Sequence, residues 1–200
     1  MSLISQNLQA VHEAIAQSAQ HYDRNPTEIV LLAVSKTFPA EDVVTAWKAG
    51  QVRFGENYVQ EGVDKIARVA ELLGLPSTDG GVVETSAPER HFIGPIQSNK
   101  TRPIAEHFLW VHSVDRDKIA SRLSEQRPAQ LPPLNVCIQV NISGEESKSG
   151  VTPEQCAALA RHIQSLPHLQ LRGLMAVQKR LRMRPHSDAL LPLCASSRCS

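Results

Sequence analysis

Between residues 29 and 177, short runs of β-branched and aliphatic residues alternate six times with stretches patterned as helices. That alternation constrains the fold more than any other feature. A continuous apolar run suits a strand covered on both faces, and a strand–helix succession brings neighbouring strands parallel. The runs are IVLLAVSK (29–36), VRFGEN (52–57), HFIG (91–94), FLWVHSV (108–114), LNVCIQVNIS (134–143) and LQLRGLMAV (169–177). The first of them reads as a strand buried on both sides. Residues 3–20 place Leu3, Ile4, Leu8, Val11 and Ile15 on one helical face. Pro39 and Gly50 bracket a helix carrying Val43, Val44 and Trp47, and residues 58–74 form another with Glu61 and Lys65 at i,i+4. A helix runs from about Ser98 to His107, and Asp115 is the expected N-cap of one carrying Ile119, Ala120 and Leu123. Thr152-Pro-Glu-Gln155 has capping-box form with Pro153 at the first helical position. Segment 75–90 is polar and reads as a long surface loop.

Six such units, with no early GxGxxG fingerprint, favour a (β/α) barrel over a doubly wound sheet, although the count falls two short of eight. The expected fold class is α/β, a (β/α)8 TIM-type barrel of which this chain carries six units. Two hundred residues at 42% hydrophobic composition suffice for a sizeable core. No apolar run is long enough to span a bilayer, and the N-terminus lacks a secretory pattern, so a cytoplasmic location with no membrane partner is expected. A net charge of +1 and 4% aromatic residues give little basis for binding nucleic acid. Cys137 and Cys156 sit in apolar periodic segments, and neither CxxC nor HExxH occurs, so inert thiols and no metal site are expected. Residues 179–200 hold five basic groups and one acid, and a composition break falls at about Gln178.

In a parallel α/β fold, function collects at the carboxyl ends of the strands. Lys36 closes the first strand. One reading is a desolvated amine with a lowered pKa, able to attack an aldehyde; the other is a strand-end lysine meeting a carboxylate such as Glu56. Asn57 either bonds a ligand or caps the following helix. The segment GPIQSNKTR, from Gly94 to Arg102, either holds an anion on backbone amides and Lys100/Arg102 or merely uses Ser98 as an N-cap. His91 at a strand start reads as structural, and Glu145 and Glu146 as solvated.

Five ordered motifs converge: AVSKTFP (33–39), FGENYVQEGVDK (54–65), HFIGPIQSNK (91–100), QVNISGEESKSG (139–150) and LRGLMAV (171–177). Together they closely resemble the YggS/PROSC family of pyridoxal-phosphate (PLP) homeostasis proteins, from about residue 5 to Val177. The resemblance implies a PLP-binding barrel like the N-terminal domain of alanine racemase, without that enzyme's second domain. It implies that Lys36 forms the internal aldimine with PLP and that Asn57, His91, Gly94 and Met175 neighbour the cofactor. The implied role is to bind, buffer and deliver PLP, with PLP-dependent apo-enzymes as recipients and no catalytic residue. The alternative is a racemase-like enzyme acting on amino acids, for which the sequence offers no obvious opposing acid or base.

Beyond LRGLMAV the resemblance implies two further βα units that hold the PLP phosphate. QKRLRMRPHSDALLPLCASSRCS (178–200) matches none of them. Residues 1–178 are therefore expected to form an incomplete barrel domain and 179–200 a disordered tail outside the family pattern. Six strands would leave the first and sixth edges open, making the chain prone to aggregation, and PLP affinity would fall. A frameshift or truncated gene copy is the expected cause, with a sequencing error an equally ordinary one. Reading the downstream coding DNA in all three frames should reveal sequence resembling the seventh and eighth units, and its absence from every frame would remove that explanation.

Overall fold

A computed structural model describes residues 2–75, 87–143 and 149–176. The 179–200 tail, Val177, most of the 75–90 loop, Glu145 and Glu146 lie outside the described residues. The described residues form two compact units, divided between His91 and Phe92.

In the first unit, α1 (Leu3–His21) begins at Ser2, whose hydroxyl accepts from the Ser5 amide at 3.2 Å. It is followed by β1 (Ala33–Val34), α2 (Ala40–Lys48), β2 (Arg53–Glu56) and α3 (Val59–Leu73). Pro39 is the N-cap of α2, as its fixed φ suits, and Gly74 closes α3 at φ +66°, a conformation that costs glycine least. β1 and β2 run parallel with Ala33 opposite Phe54 and Val34 opposite Gly55. Phe54 packs with Val43, Val44 and Val69 of the two helices, and Ile4 and Leu8 of α1 add to that cluster. β3 (Glu89–Phe92) follows, its first amide donating to the Val52 carbonyl at 2.8 Å.

The second unit contains α4 (Thr101–His107), β4 (Trp110–Val114), α5 (Asp117–Gln126), β5 (Leu134–Val140), α6 (Pro153–Gln164) and β6 (Leu169–Ala176). β5 pairs in parallel with β4 on one side and β6 on the other. Its core is dry: Phe92, Ile104, Phe108, Leu123, Ile138 and Ile163 have no exposed surface. Arg127 is buried and donates to the carbonyls of Ala105, Phe108 and Pro132, tying two turns together. Gln155 accepts from the Thr152 amide at 3.0 Å, completing the capping box of α6. Gly150, at φ +127°, is obligatory, because a Cβ there would lie 2.7 Å from the Asn141 amide nitrogen.

Six strands alternating with helices match the α/β expectation, and four details do not. β1 is two residues long, and Val30 and Val34 are about half exposed (51% and 47%), so the first run is not buried on both faces. The α2/α3 side of β1 is covered, but no layer among the described residues of this unit covers the other. β3 starts at Glu89 rather than at His91, because its polar side chains find ionic partners on the strand. Asp115 does not cap α5. Its carboxylate takes Arg116 at 2.8 Å, and Arg116 itself stands at the N-cap. Ser98 is not a cap either; it opens a short 3-10 turn, Ser98–Lys100, ahead of α4.

Phe108 meets Phe92 edge to face with ring centroids 5.4 Å apart. Truncating Phe108 to Ala is expected to cost about 3–5 kcal/mol, read as a lower denaturant midpoint at unchanged m-value.

Candidate functional site

The carboxyl ends of β1 and β2 are joined by one polar network. Lys65, on the first half of α3, has only 9% of its side chain exposed, and Glu56 at the end of β2 only 7%. The Lys65 ammonium donates to the Ser35 carbonyl at 2.6 Å, Glu56 Oε1 at 2.8 Å and Glu61 Oε1 at 2.9 Å. An ammonium has three N–H donors, so this one is saturated. Glu56 Oε1 also accepts from the Ser35 hydroxyl at 2.7 Å, while Glu56 Oε2 is buried with no hydrogen-bond partner. Glu61 Oε1 accepts from the Thr37 amide at 2.6 Å, and its bond to Lys65 holds its carboxyl below the usual range.

Lys36 sits between these anchors. The Ser35 amide donates to the Gly55 carbonyl at 3.0 Å, and the Phe38 amide closes the turn on the Ser35 carbonyl at 3.1 Å. Thr37 stands at φ +66°, unusual for a β-branched residue. Lys36 itself is exposed, and its amine has no hydrogen bond or ion pair among the described residues. Both sequence readings therefore need correction. The amine is exposed among the described residues, and Glu56 is the partner of Lys65, not of Lys36, because Ser35 and Glu56 face α3 while Lys36 does not join them.

Asn57 and Lys36 each stand two residues beyond the Val34–Gly55 pair, at the ends of adjacent strands. Asn57 is half-buried and does not cap α3, whose N-cap is Tyr58. His91 is buried on β3, where its Nε2–H donates to Glu89 Oε1 at 2.8 Å; Arg53 reaches the same oxygen at 3.3 Å. Burial pushes His91 below the usual imidazole value, with the Glu89 bond opposing, and the same bond holds Glu89 low. Gly94 and Met175 belong to the second unit. Gly94 is buried, and its carbonyl accepts from the Ser113 hydroxyl at 2.5 Å; Met175 is half-buried on β6 opposite Gln139. Lys100 and Arg102 are exposed, with Arg102 3.6 Å from Glu106. Cys137 is buried, which pushes its thiol up to about 11 and leaves it unreactive. No group of three or more metal-ligating side chains occurs among the described residues, and no helix there is long and apolar enough to cross a membrane.

Residues 6–188 match the family model described as alanine racemase, N-terminal domain. The pyridoxal phosphate homeostasis protein of Pseudomonas aeruginosa is 58% identical over 177 residues, covering 88% of this chain and 71% of that protein. The protein of the same name from Escherichia coli K12 is 54% identical over the same shares of each. The chain belongs to the pyridoxal phosphate homeostasis protein family. Among solved structures, PipY of Synechococcus elongatus without PLP is 33% identical at TM-score 0.65, covering 85% of this chain and 73% of PipY. PipY with PLP bound gives 32% and 0.61, covering 84% and 71%. Alanine racemase from E. faecalis, 19% identical at TM-score 0.58 over 86% of this chain and 42% of the racemase, shares the fold.

Missed in the sequence was the role of Lys65. The sequence paired Lys65 with Glu61 at i,i+4, but the lysine also reaches Glu56 at the end of β2 and is nearly buried. The acid side of the stability profile should reflect His91 and Glu89. Both have folded values below their ordinary 6.5 and 4.5, so the unfolded chain binds more protons and stability falls as pH drops below about 6.5. His91→Gln is expected to flatten the first part of that decline in pH-dependent urea unfolding. An unchanged slope would show that His91 does not contribute.

Proposed function

We propose that this chain binds pyridoxal 5'-phosphate through the Lys36 amine and serves in intracellular PLP homeostasis, holding the cofactor and passing it on. The observation that carries this reading is the amine itself, exposed and without partners among the described residues, on a turn whose other members are pinned. PLP supplies an aldehyde, and a primary amine condenses with an aldehyde with loss of one water. The donor set fits that group. Lys36 offers a free nitrogen, whereas the nitrogen of Lys65 donates three hydrogen bonds.

Asn57 offers an amide at the neighbouring strand end, able to donate and accept. His91, with Nε2 committed to Glu89, acts through its fixed ring rather than as a proton carrier. Gly94 and Met175, which the family resemblance names, are proposed as further cofactor neighbours. The PLP-bound PipY supports the choice of cofactor, and the relatives' name, pyridoxal phosphate homeostasis protein, supports the role in PLP homeostasis. Residues 1–178 form the PLP-binding domain in this reading, with 179–200 as a tail outside it. PLP-dependent apo-enzymes are the proposed recipients, and the cytoplasm the proposed location.

Titration with PLP is expected to raise a visible absorbance band in the wild-type protein and none in Lys36→Ala. Equal bands in both would overturn the assignment of Lys36, and amino-acid turnover by the loaded protein would overturn the carrier role in favour of a racemase-like enzyme.

A further inference from the structure

We infer that Lys65 and Glu61 are positioning residues that hold the 35–38 turn in the one conformation that presents the Lys36 amine. This inference rests on the reading of Lys36 as the amine that takes PLP. Three observations carry it. First, both neighbours of Lys36 are fixed through a single network: the Ser35 carbonyl by Lys65 Nζ at 2.6 Å, and the Thr37 amide by Glu61 Oε1 at 2.6 Å. Second, Thr37 is held at φ +66°, which a β-branched residue adopts only when its surroundings impose it, and the Glu61 bond is the contact that engages its backbone there. Third, the hub of the network is nearly buried and its ammonium is saturated, so its geometry leaves little freedom.

The network also separates the two lysines by role. A saturated ammonium has no lone pair to offer an aldehyde, so Lys65 is withheld from the chemistry while its hydrogen bonds aim Lys36. Glu61 is the accessible handle on this device, because about a third of its side chain is exposed and truncating it opens no buried cavity.

The test compares wild type, Glu61→Ala, Lys65→Arg, Lys65→Met and Lys36→Ala, each checked for folding by circular dichroism. Two readouts are taken: hydrogen exchange at the Thr37 amide without cofactor, and PLP affinity with borohydride trapping and peptide mapping of the modified lysine. In Glu61→Ala, Thr37 exchange should accelerate and PLP affinity fall, each about tenfold or more, at unchanged thermal midpoint. Lys65→Arg, which keeps charge and donors, should restore most of the affinity that Lys65→Met loses. If Lys65→Met does not fold, Glu61→Ala and Lys65→Arg decide. Thr37 exchange and PLP affinity within twofold of wild type in Glu61→Ala would overturn the inference. If instead Lys36→Ala binds PLP as wild type does, the reading of Lys36 fails, and the exchange measurement still decides whether the clamp exists.

Discussion

A lysine side chain taken almost wholly out of water is the constraint on which the first unit turns. Moving an ammonium from water into protein costs several kcal/mol even after relaxation, and the cost is offset only by close, well-directed partners. Lys65 meets it with two carboxylates and a carbonyl, all within 2.9 Å. Those acceptors come from three places in the chain: the residue after β1, the end of β2 and the first turns of α3. Satisfying one charge therefore fixes two strand ends against one helix. Removing the buried Glu56 from this group costs about 3–5 kcal/mol, because the charge left behind stays buried, whereas water can take the place of the part-exposed Glu61. The apolar cluster around Phe54 supplies burial, but burial is non-directional, and the polar network sets where the strand ends point.

The same network gives the two lysines near this turn opposite surroundings. Nucleophilic attack on an aldehyde needs an unprotonated amine with a free lone pair. Lys65 spends every N–H on acceptors, which holds its nitrogen in the network and away from an aldehyde. Lys36 makes no hydrogen bond or ion pair among the described residues, while its neighbours on both sides are tied firmly. An uncommitted amine on a fixed backbone suits the reversible capture of an aldehyde proposed above.

Much of this was legible in the sequence, and the reason lies in periodicity. Helices α2, α3 and α6 begin and end where Pro39, Gly74 and the Thr152–Gln155 box place them, because caps are local chemistry. The five motifs carried the family. What stayed hidden depends on neighbours far away in the chain. An aliphatic run such as IVLLAVSK states an appetite for burial but not which layer satisfies it, so the exposure of Val30 and Val34 had no local signature. β3 was displaced because Glu89 and His91 form a polar face with Arg53, and a polar alternation reads as a loop until its partner strand is known. Glu56 was assigned to the wrong lysine for the same reason: pairing across strand and helix is a tertiary fact.

Thr37 shows how these levels meet. A threonine in the left-handed region costs of order 1–3 kcal/mol, and local preference alone would relax it. It stays because the Glu61 carboxylate accepts from its amide, and Glu61 is itself oriented by Lys65. The presentation of Lys36 is thus one side of a local equilibrium whose balance is set by groups that never touch a ligand. Apparent affinity scales with the fraction of molecules in the competent conformation, so the stored strain is also a lever. Tightening the Glu61 contact would favour capture, and loosening it would favour release. For the carrier role proposed above, a turn poised in this way serves both capture and release better than one that is merely rigid.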